Sequence, residues 1–185
     1  MAEGAWLVAF VAAQRLAELG YSQWNTLRLR DAGAVEFGAA HYHLMVALHA
    51  FWLLGLWLLG HGHSVDPVWL TIFIVLQAGR LWVIASLGKR WTTRIIVVPG
   101  ARPVTVGPYR WLRHPNYLIV VLEIAVVPLA LAMPLFALAF SIANAALLAY
   151  RISVENRALI WAMGPGASPA ALTPQPLPLR TQDDS

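Results

Sequence analysis

The sequence predicts an all-α integral membrane helical bundle of about five transmembrane helices that closes with a C-terminal helical hairpin. Three observations carry this expectation. Hydrophobic residues make up 59% of the 185 residues and charged ones only 12%, with a mean hydropathy of +0.61, far more apolar than a soluble domain. The apolar residues come in long blocks, and the basic residues collect in alternate connections between them. Residues 1–163 read as a single transmembrane unit, with no room for a separate soluble domain of ordinary size. Residues 164–185, rich in Pro, Ala and Ser and ending Asp183-Asp184-Ser185, read as a disordered tail outside the working core.

Taken in order, residues 6–19 form the weakest span, short and interrupted by Gln14, Arg15 and Glu18. The segment before it carries Glu3 where a secretory signal has a basic start, so it is read as retained. Residues 42–59 and 68–87 are good spans, each near the ~20 residues that a bilayer helix needs. Residues 115–130 and 135–150 are joined at Met133-Pro134, a tight break that predicts an antiparallel hairpin. At 1.5 Å per residue each arm is about 24 Å long, so the hairpin must extend beyond its apolar part or sit in a thinned bilayer.

The thirteen Lys and Arg residues test this count. Arg28 and Arg30 fall in the first connection, and Lys89, Arg90, Arg94, Arg102, Arg110 and Arg113 in the third; Arg151, Arg157 and Arg180 follow the last span. The connections at 61–66 and around Met133 have none. This alternation predicts an outside N terminus and a cytoplasmic C terminus. The isoelectric point near 10.0 then follows from topology, and no motif calls for a nucleic-acid partner. The absence of cysteine excludes disulfides, thiolate nucleophiles and cysteine-bound metal clusters.

Two polar islands interrupt the apolar pattern. The first is Gly107-Pro-Tyr-Arg-Trp-Leu-Arg-His-Pro-Asn-Tyr117, with Pro115 suited to a first helical position and His114 to a cap just outside it. As plain membrane furniture, Arg110 and Arg113 would hold headgroups while Tyr109, Trp111 and Tyr117 joined an aromatic belt. The second island is Tyr150-Arg-Ile-Ser-Val-Glu-Asn-Arg-Ala-Leu159, which continues the last span without a helix breaker. Arg151 and Glu155 stand at i and i+4 there, and as a solvated pair they would contribute only ~0.3 to 0.5 kcal/mol. The hairpin brings the start of one arm beside the end of the other, so the two islands should meet in one cytoplasmic pocket.

Val97-Val98-Pro-Gly100, the Gly107 to Tyr117 motif and Arg151-Ile-Ser-Val-Glu-Asn156 together resemble the isoprenylcysteine carboxyl methyltransferase family of integral membrane enzymes, over residues 95–159. The resemblance implies methyl transfer from S-adenosylmethionine to an oxygen of a lipophilic acceptor that enters from the bilayer, with the cofactor held at the cytoplasmic face. Position by position, it implies cofactor contacts at His114, Tyr117 and Glu155, with the loop backbone from Val98 and from Gly107 to Tyr109 in support; by its chemistry Arg110 or Arg113 can pair with the cofactor carboxylate. Arg151 and Glu155 are the candidate catalytic pair. Arg151 can hold a carboxylate or enolate oxygen, and Glu155 or His114 can act as base for a less acidic hydroxyl. Asn156 stands where family members usually carry a second acid, and Trp161-Ala-Met-Gly164 leads into the Pro-rich tail in place of the usual aromatic helix.

The N-terminal half, with Arg15-Leu-Ala-Glu18, Trp24-Asn25 and the 33–42 stretch, is similar to the bacterial branch. That branch implies the cytoplasmic membrane and polyketide-type lipids such as alkylpyrones or alkylresorcinols, ahead of an isoprenylcysteine-like carboxylate. Rival readings are a nicotinamide-dependent membrane reductase of sterol-reductase type and a non-enzymatic transport or scaffold subunit. His41-x-His43 and His61-x-His63 look like metal pairs, but i and i+2 diverge on a helix and no acid completes either set, so no metal is expected. Arg15 with Glu18 and Gln77 with Arg80 lie within or at the edge of apolar spans, where charge defaults to a functional role, with mutual pairing or snorkelling an equal reading. Glu123, with Asn144 at similar depth on the opposite arm, is read as a neutral, hydrogen-bonded acid that links the hairpin, ahead of a role at the acceptor site.

Overall fold

The computed structural model describes residues 3–100, 103–163 and 175–176. Five α-helices dominate: α1 (Glu3–Asp31), α2 (Ala39–Gly60), α3 (Pro67–Leu87), α4 (Pro115–Ala130) and α5 (Pro134–Met163). Among the described residues three stretches are long and apolar enough to cross a membrane, Ala39–Gly60, Pro67–Arg90 and Pro134–Ala162, while Pro115–Ala130 is a shorter apolar helix. The chain is an integral membrane helical bundle.

Local signals account for the helix ends. Asp66 accepts from the Val68 and Trp69 amides (2.8 and 3.2 Å), and Pro67 fills the first position of α3, where no amide is needed. At the α4–α5 turn Ala132 adopts φ +55°, the Met133 amide returns to the Pro128 carbonyl (2.9 Å), and Pro134 opens α5. α5 runs unbroken for 30 residues, about 45 Å, so this arm of the hairpin gains length as required. α4 keeps its 16 residues.

The core lies among the first four helices, where Trp52, Leu56, Ile124 and Val127 are fully buried. Leu44, Phe51, Leu58, Val75, Leu81, Leu135 and Ile142 point outward and are exposed, as suits a surface whose solvent is hydrocarbon. At one end of the bundle the Gly4 amide donates to the His63 carbonyl (3.1 Å) and Asp66 to Ala130 (2.9 Å). There His63 Nδ1 donates to the Leu131 carbonyl (2.5 Å) and His61 Nδ1 to the Trp57 carbonyl (2.7 Å). The cationic connections collect at the opposite end.

α1 departs most from expectation. It is 29 residues long, and its charges are neither snorkelling nor confined to local pairs. Arg15 donates to Glu18 (2.8 Å) and to Glu123 of α4. Arg80 of α3 donates to Glu123 through Nε (2.8 Å) and Nη2, and to Glu18 (3.1 Å), while Gln77 adds a bond to Glu123 (2.8 Å). Glu123 is wholly buried between two guanidinium groups, which supply the compensation that a buried carboxylate requires. The expectation of a neutral acid linking the hairpin is therefore corrected: the link joins α1, α3 and α4. Asn144 is buried apart from it, its Nδ2 without a partner among the described residues.

A small antiparallel sheet was not expected. β1 (Val35–Phe37) pairs with β2 (Ile95–Val97) in the register Glu36↔Ile96, and β3 (Gln175–Pro176) pairs with the other edge of β1. Of the tail expected to be disordered, these two residues are described; the remainder of 164–185 lies outside the described residues, as do Arg102 and Arg180.

Candidate functional site

The basic end of the bundle encloses a cavity of about 220 Å³ between the 90–98 strand segment, the 103–117 loop and the last turns of α5. The loop is aimed by Gly107. Its φ of +58° is one that residues with a side chain rarely adopt, and a Cβ there would lie 2.2 Å from Ser86 Oγ. The chain then tightens into a 3-10 turn, Gly107–Arg110, which divides the polar island. Arg110 and the exposed Trp111 face outward, with Trp111 edge-on to Trp82 at 6.0 Å. Tyr109 and Arg113 turn inward to line the cavity. Burial, and then the neighbouring Glu155 carboxylate, push the Tyr109 hydroxyl well above the ordinary phenol range.

His114 occupies the cap position of α4 but makes no capping bond. Its ring instead stacks on Tyr117 (centroids 5.3 Å apart, planes at 16°), and Nε2 donates to Asn156 Oδ1 at 3.3 Å across the hairpin. Nδ1 lies 3.8 Å from Glu155. Asn156 thus supplies a neutral acceptor to the histidine.

The i,i+4 relation of Arg151 and Glu155 is not a solvated ion pair. Arg151 is buried, at 3% exposure. Its Nε donates to the Tyr117 hydroxyl (2.9 Å), and that hydroxyl donates to the Glu155 carboxylate. The Tyr117 oxygen therefore sits between guanidinium and carboxylate, accepting from one and donating to the other. Arg151 Nη2 donates to the Thr93 carbonyl (2.6 Å), which ties α5 to the segment before β2. The structure thus joins the two sequence islands through Tyr117.

Val98, Tyr109, Arg113, His114, Tyr117, Arg151 and Glu155 all line this cavity; Gly107 does not and acts through the turn. Tyr109 and Tyr117 belong to its wall, not to an outer aromatic belt. Arg90, Arg94, Asn116 and Leu29 also line it, and sequence reasoning did not single them out as site residues. Arg94 is engaged by Glu36 (2.6 Å) and lies 4.1 Å above the Tyr42 ring. Asn116 lies within the motif, but its side-chain direction depends on how α4 begins; its Oδ1 is buried without a partner among the described residues.

This donor set fits S-adenosylmethionine. The carboxylate of Glu155 and the orphaned Asn116 oxygen can accept from ammonium, adenine amine or ribose hydroxyls. Arg113 can meet the carboxylate, and the aromatic rings can face the adenine or the sulfonium. Among the described residues no group of three or more His, Asp or Glu is arranged to hold a metal ion.

The model of the isoprenylcysteine carboxyl methyltransferase (ICMT) family matches residues 69–161, from α3 through nearly all of α5. A Bacillus subtilis protein described as uncharacterized protein YpbQ is 39% identical over 158 residues, which cover 83% of this chain and 94% of the relative. No solved structure matches. From the spacing of its two motifs, their meeting across the α4–α5 hairpin and the family match over that same region, the chain belongs to the isoprenylcysteine carboxyl methyltransferase family of membrane methyltransferases.

Proposed function

We propose that the cavity binds S-adenosylmethionine and that the chain directs its methyl group to an oxygen of a lipophilic acceptor at the cytoplasmic face of a bacterial membrane. The observation that carries this reading is the Arg151–Tyr117–Glu155 relay, with His114 stacked on Tyr117 at one wall of the cavity. The cofactor supplies an electrophilic methyl group. Glu155 and Asn116 bind its cationic and hydroxyl-bearing parts, Arg113 its carboxylate, and Tyr109 with Val98 close the wall. The His114–Asn156 bond and the Tyr117 hydroxyl hold these groups in register, which is the main requirement of an in-line displacement.

Arg151 orients the acceptor oxygen. A carboxylate acceptor, such as an isoprenylcysteine-like group, is ionised at neutral pH and needs no base, and an acidic enol such as an alkylpyrone lies close to that case. A phenol of the alkylresorcinol type would give its proton to Glu155 or His114. Polyketide-type lipids are the favoured acceptors, ahead of an isoprenylcysteine-like carboxylate. With the cavity at the cationic end, the positive-inside rule supports a cytoplasmic C terminus and an outside N terminus.

The test is calorimetry of the purified protein with S-adenosylhomocysteine, in detergent and in lipid nanodiscs. Binding is expected, and His114→Ala and Glu155→Ala should each weaken it by roughly 1 to 3 kcal/mol, the range for loss of a buried charge-assisted contact. Absence of binding in both media refutes the assignment, and affinity unchanged in both variants refutes the site.

A further inference from the structure

Arg151 is only as well placed as the groups that receive its hydrogen bonds. One is Tyr117, its neighbour across the hairpin. The other is the main-chain carbonyl of Thr93, which lies between the 3-10 turn Gly88–Arg90 and β2 and belongs to no helix that would fix it. Its position is instead held from α1, with the Tyr42 hydroxyl of α2 adding a bond to Thr93 Oγ1 (3.2 Å). Ser22 Oγ accepts from the Thr93 amide (2.8 Å) and shares a second bond with Thr93 Oγ1 (2.8 Å). One turn further along, Asn25 Nδ2 donates to the carbonyls of Trp91 (2.8 Å) and Gly88 (3.2 Å). Asn25 is wholly buried and Ser22 nearly so. Tyr21 stacks on the buried Trp91 ring at 5.9 Å and 19°, which closes the same contact.

We infer that Ser22 and Asn25 are positioning residues for Arg151: by clamping the 88–93 segment to α1 they set the Thr93 carbonyl that orients the buried guanidinium. Neither residue lines the cavity, and both precede the region that the family model matches. The N-terminal helix therefore serves the site through two polar side chains as well as through its packing. In a low-dielectric interior a displaced carbonyl leaves a guanidinium proton unsatisfied, and Arg151 must turn toward another acceptor. Its bond to Tyr117, and through it the Glu155 carboxylate, would turn with it. The inference rests on the proposed function only for the consequence at the cofactor; the orientation of Arg151 can be read without any ligand.

The primary experiment follows the Arg151 Nε–H resonance in protein labelled with ¹⁵N-arginine in nanodiscs, assigned by its loss in Arg151→Lys. Ser22→Ala and Asn25→Ala should shift or broaden that signal, and Ser22→Thr, which keeps the hydroxyl, should restore it. Val11→Ala, a core variant of the same helix (1% exposed), controls for loss of stability and should leave the signal in place. A resonance unmoved in both Ser22→Ala and Asn25→Ala, or moved equally by Val11→Ala, overturns the inference.

A double-variant cycle then reads the consequence. Ser22→Ala should weaken S-adenosylhomocysteine about fivefold, the ratio that an ordinary net hydrogen bond represents, but leave affinity unchanged when Arg151 is already alanine. Equal losses in both backgrounds also overturn it. If the wild-type chain binds no S-adenosylhomocysteine, the proposed function falls and the resonance still decides the positioning role.

Discussion

Replacing Glu123 with leucine tests the buried charge cluster directly. The carboxylate takes two hydrogen bonds from Arg80, one from Arg15 and one from Gln77, and it has no exposed surface. Its removal leaves two guanidinium groups, 13% and 2% exposed, sharing Glu18 alone. Breaking a buried pair costs about 3 to 5 kcal/mol, and continued contact with Glu18 holds the loss near the lower end, about 3 kcal/mol. For a chain of this length that is a melting point lower by roughly 6 to 12 °C.

The double variant Glu123→Leu with Arg80→Leu removes one charge of each sign and keeps the 2.8 Å Arg15–Glu18 pair. It should return to within about 1 kcal/mol of wild type, because apolar replacement of a whole buried pair is often neutral. Unfolding in mixed micelles, followed by the fluorescence of the buried Trp52 and Trp91, measures both. A single variant that loses less than about 1 kcal/mol, or a double variant as damaged as the sum of its parts, refutes the pairing argument. Affinity for S-adenosylhomocysteine should survive in the double variant, since no member of the cluster lines the cavity.

Two further outcomes follow from the loop that aims the site. Gly107→Ala places a side chain at φ +58° and 2.2 Å from Ser86 Oγ, so a loss of about 2 to 3 kcal/mol is expected from strain and overlap together. Thermal unfolding of Gly107→Ala alone and with Ser86→Ala should show only partial recovery, because the backbone strain remains. Tyr109 is held neutral by burial and then by Glu155, whereas an unfolded tyrosine ionises near 10. Above about 10 and up to its raised folded pKa the unfolded chain binds fewer protons, so Tyr109 contributes a loss of stability as pH rises above about 10 and none below it. Unfolding midpoints from pH 8 to 11 should accordingly fall less steeply in Tyr109→Phe than in wild type.

The sequence carried much of the architecture. The apolar blocks correspond to α2 through α5, with α4 at residues 115–130 as read, because a bilayer demands a minimum apolar length that is visible in one dimension. Met133-Pro134 announced the hairpin, and the hairpin alone was enough to bring His114 and Tyr117 to Arg151, Glu155 and Asn156. α1 was foreshortened in the reading because the polar stretch after Leu19 holds no apolar block; the partners of Arg15 and Glu18 lie on α3 and α4, beyond any local window. The sheet was missed since three-residue strands such as 35–37 and 95–97 are too short to display an alternation.

Composition and motif order by themselves determined a membrane helical bundle, its cationic end and the two helices that meet at the site. Tertiary structure alone decided the pairing: that Glu123 answers Arg15 and Arg80 and not Asn144, that Tyr117 stands between Arg151 and Glu155, and that Ser22 and Asn25 reach the segment that carries Thr93. The physical reason is that span length and helix adjacency follow from local hydrophobicity and short turns. The partner of a buried polar group depends on the rotation and depth of helices far apart in the chain, and those are set only when the whole bundle packs.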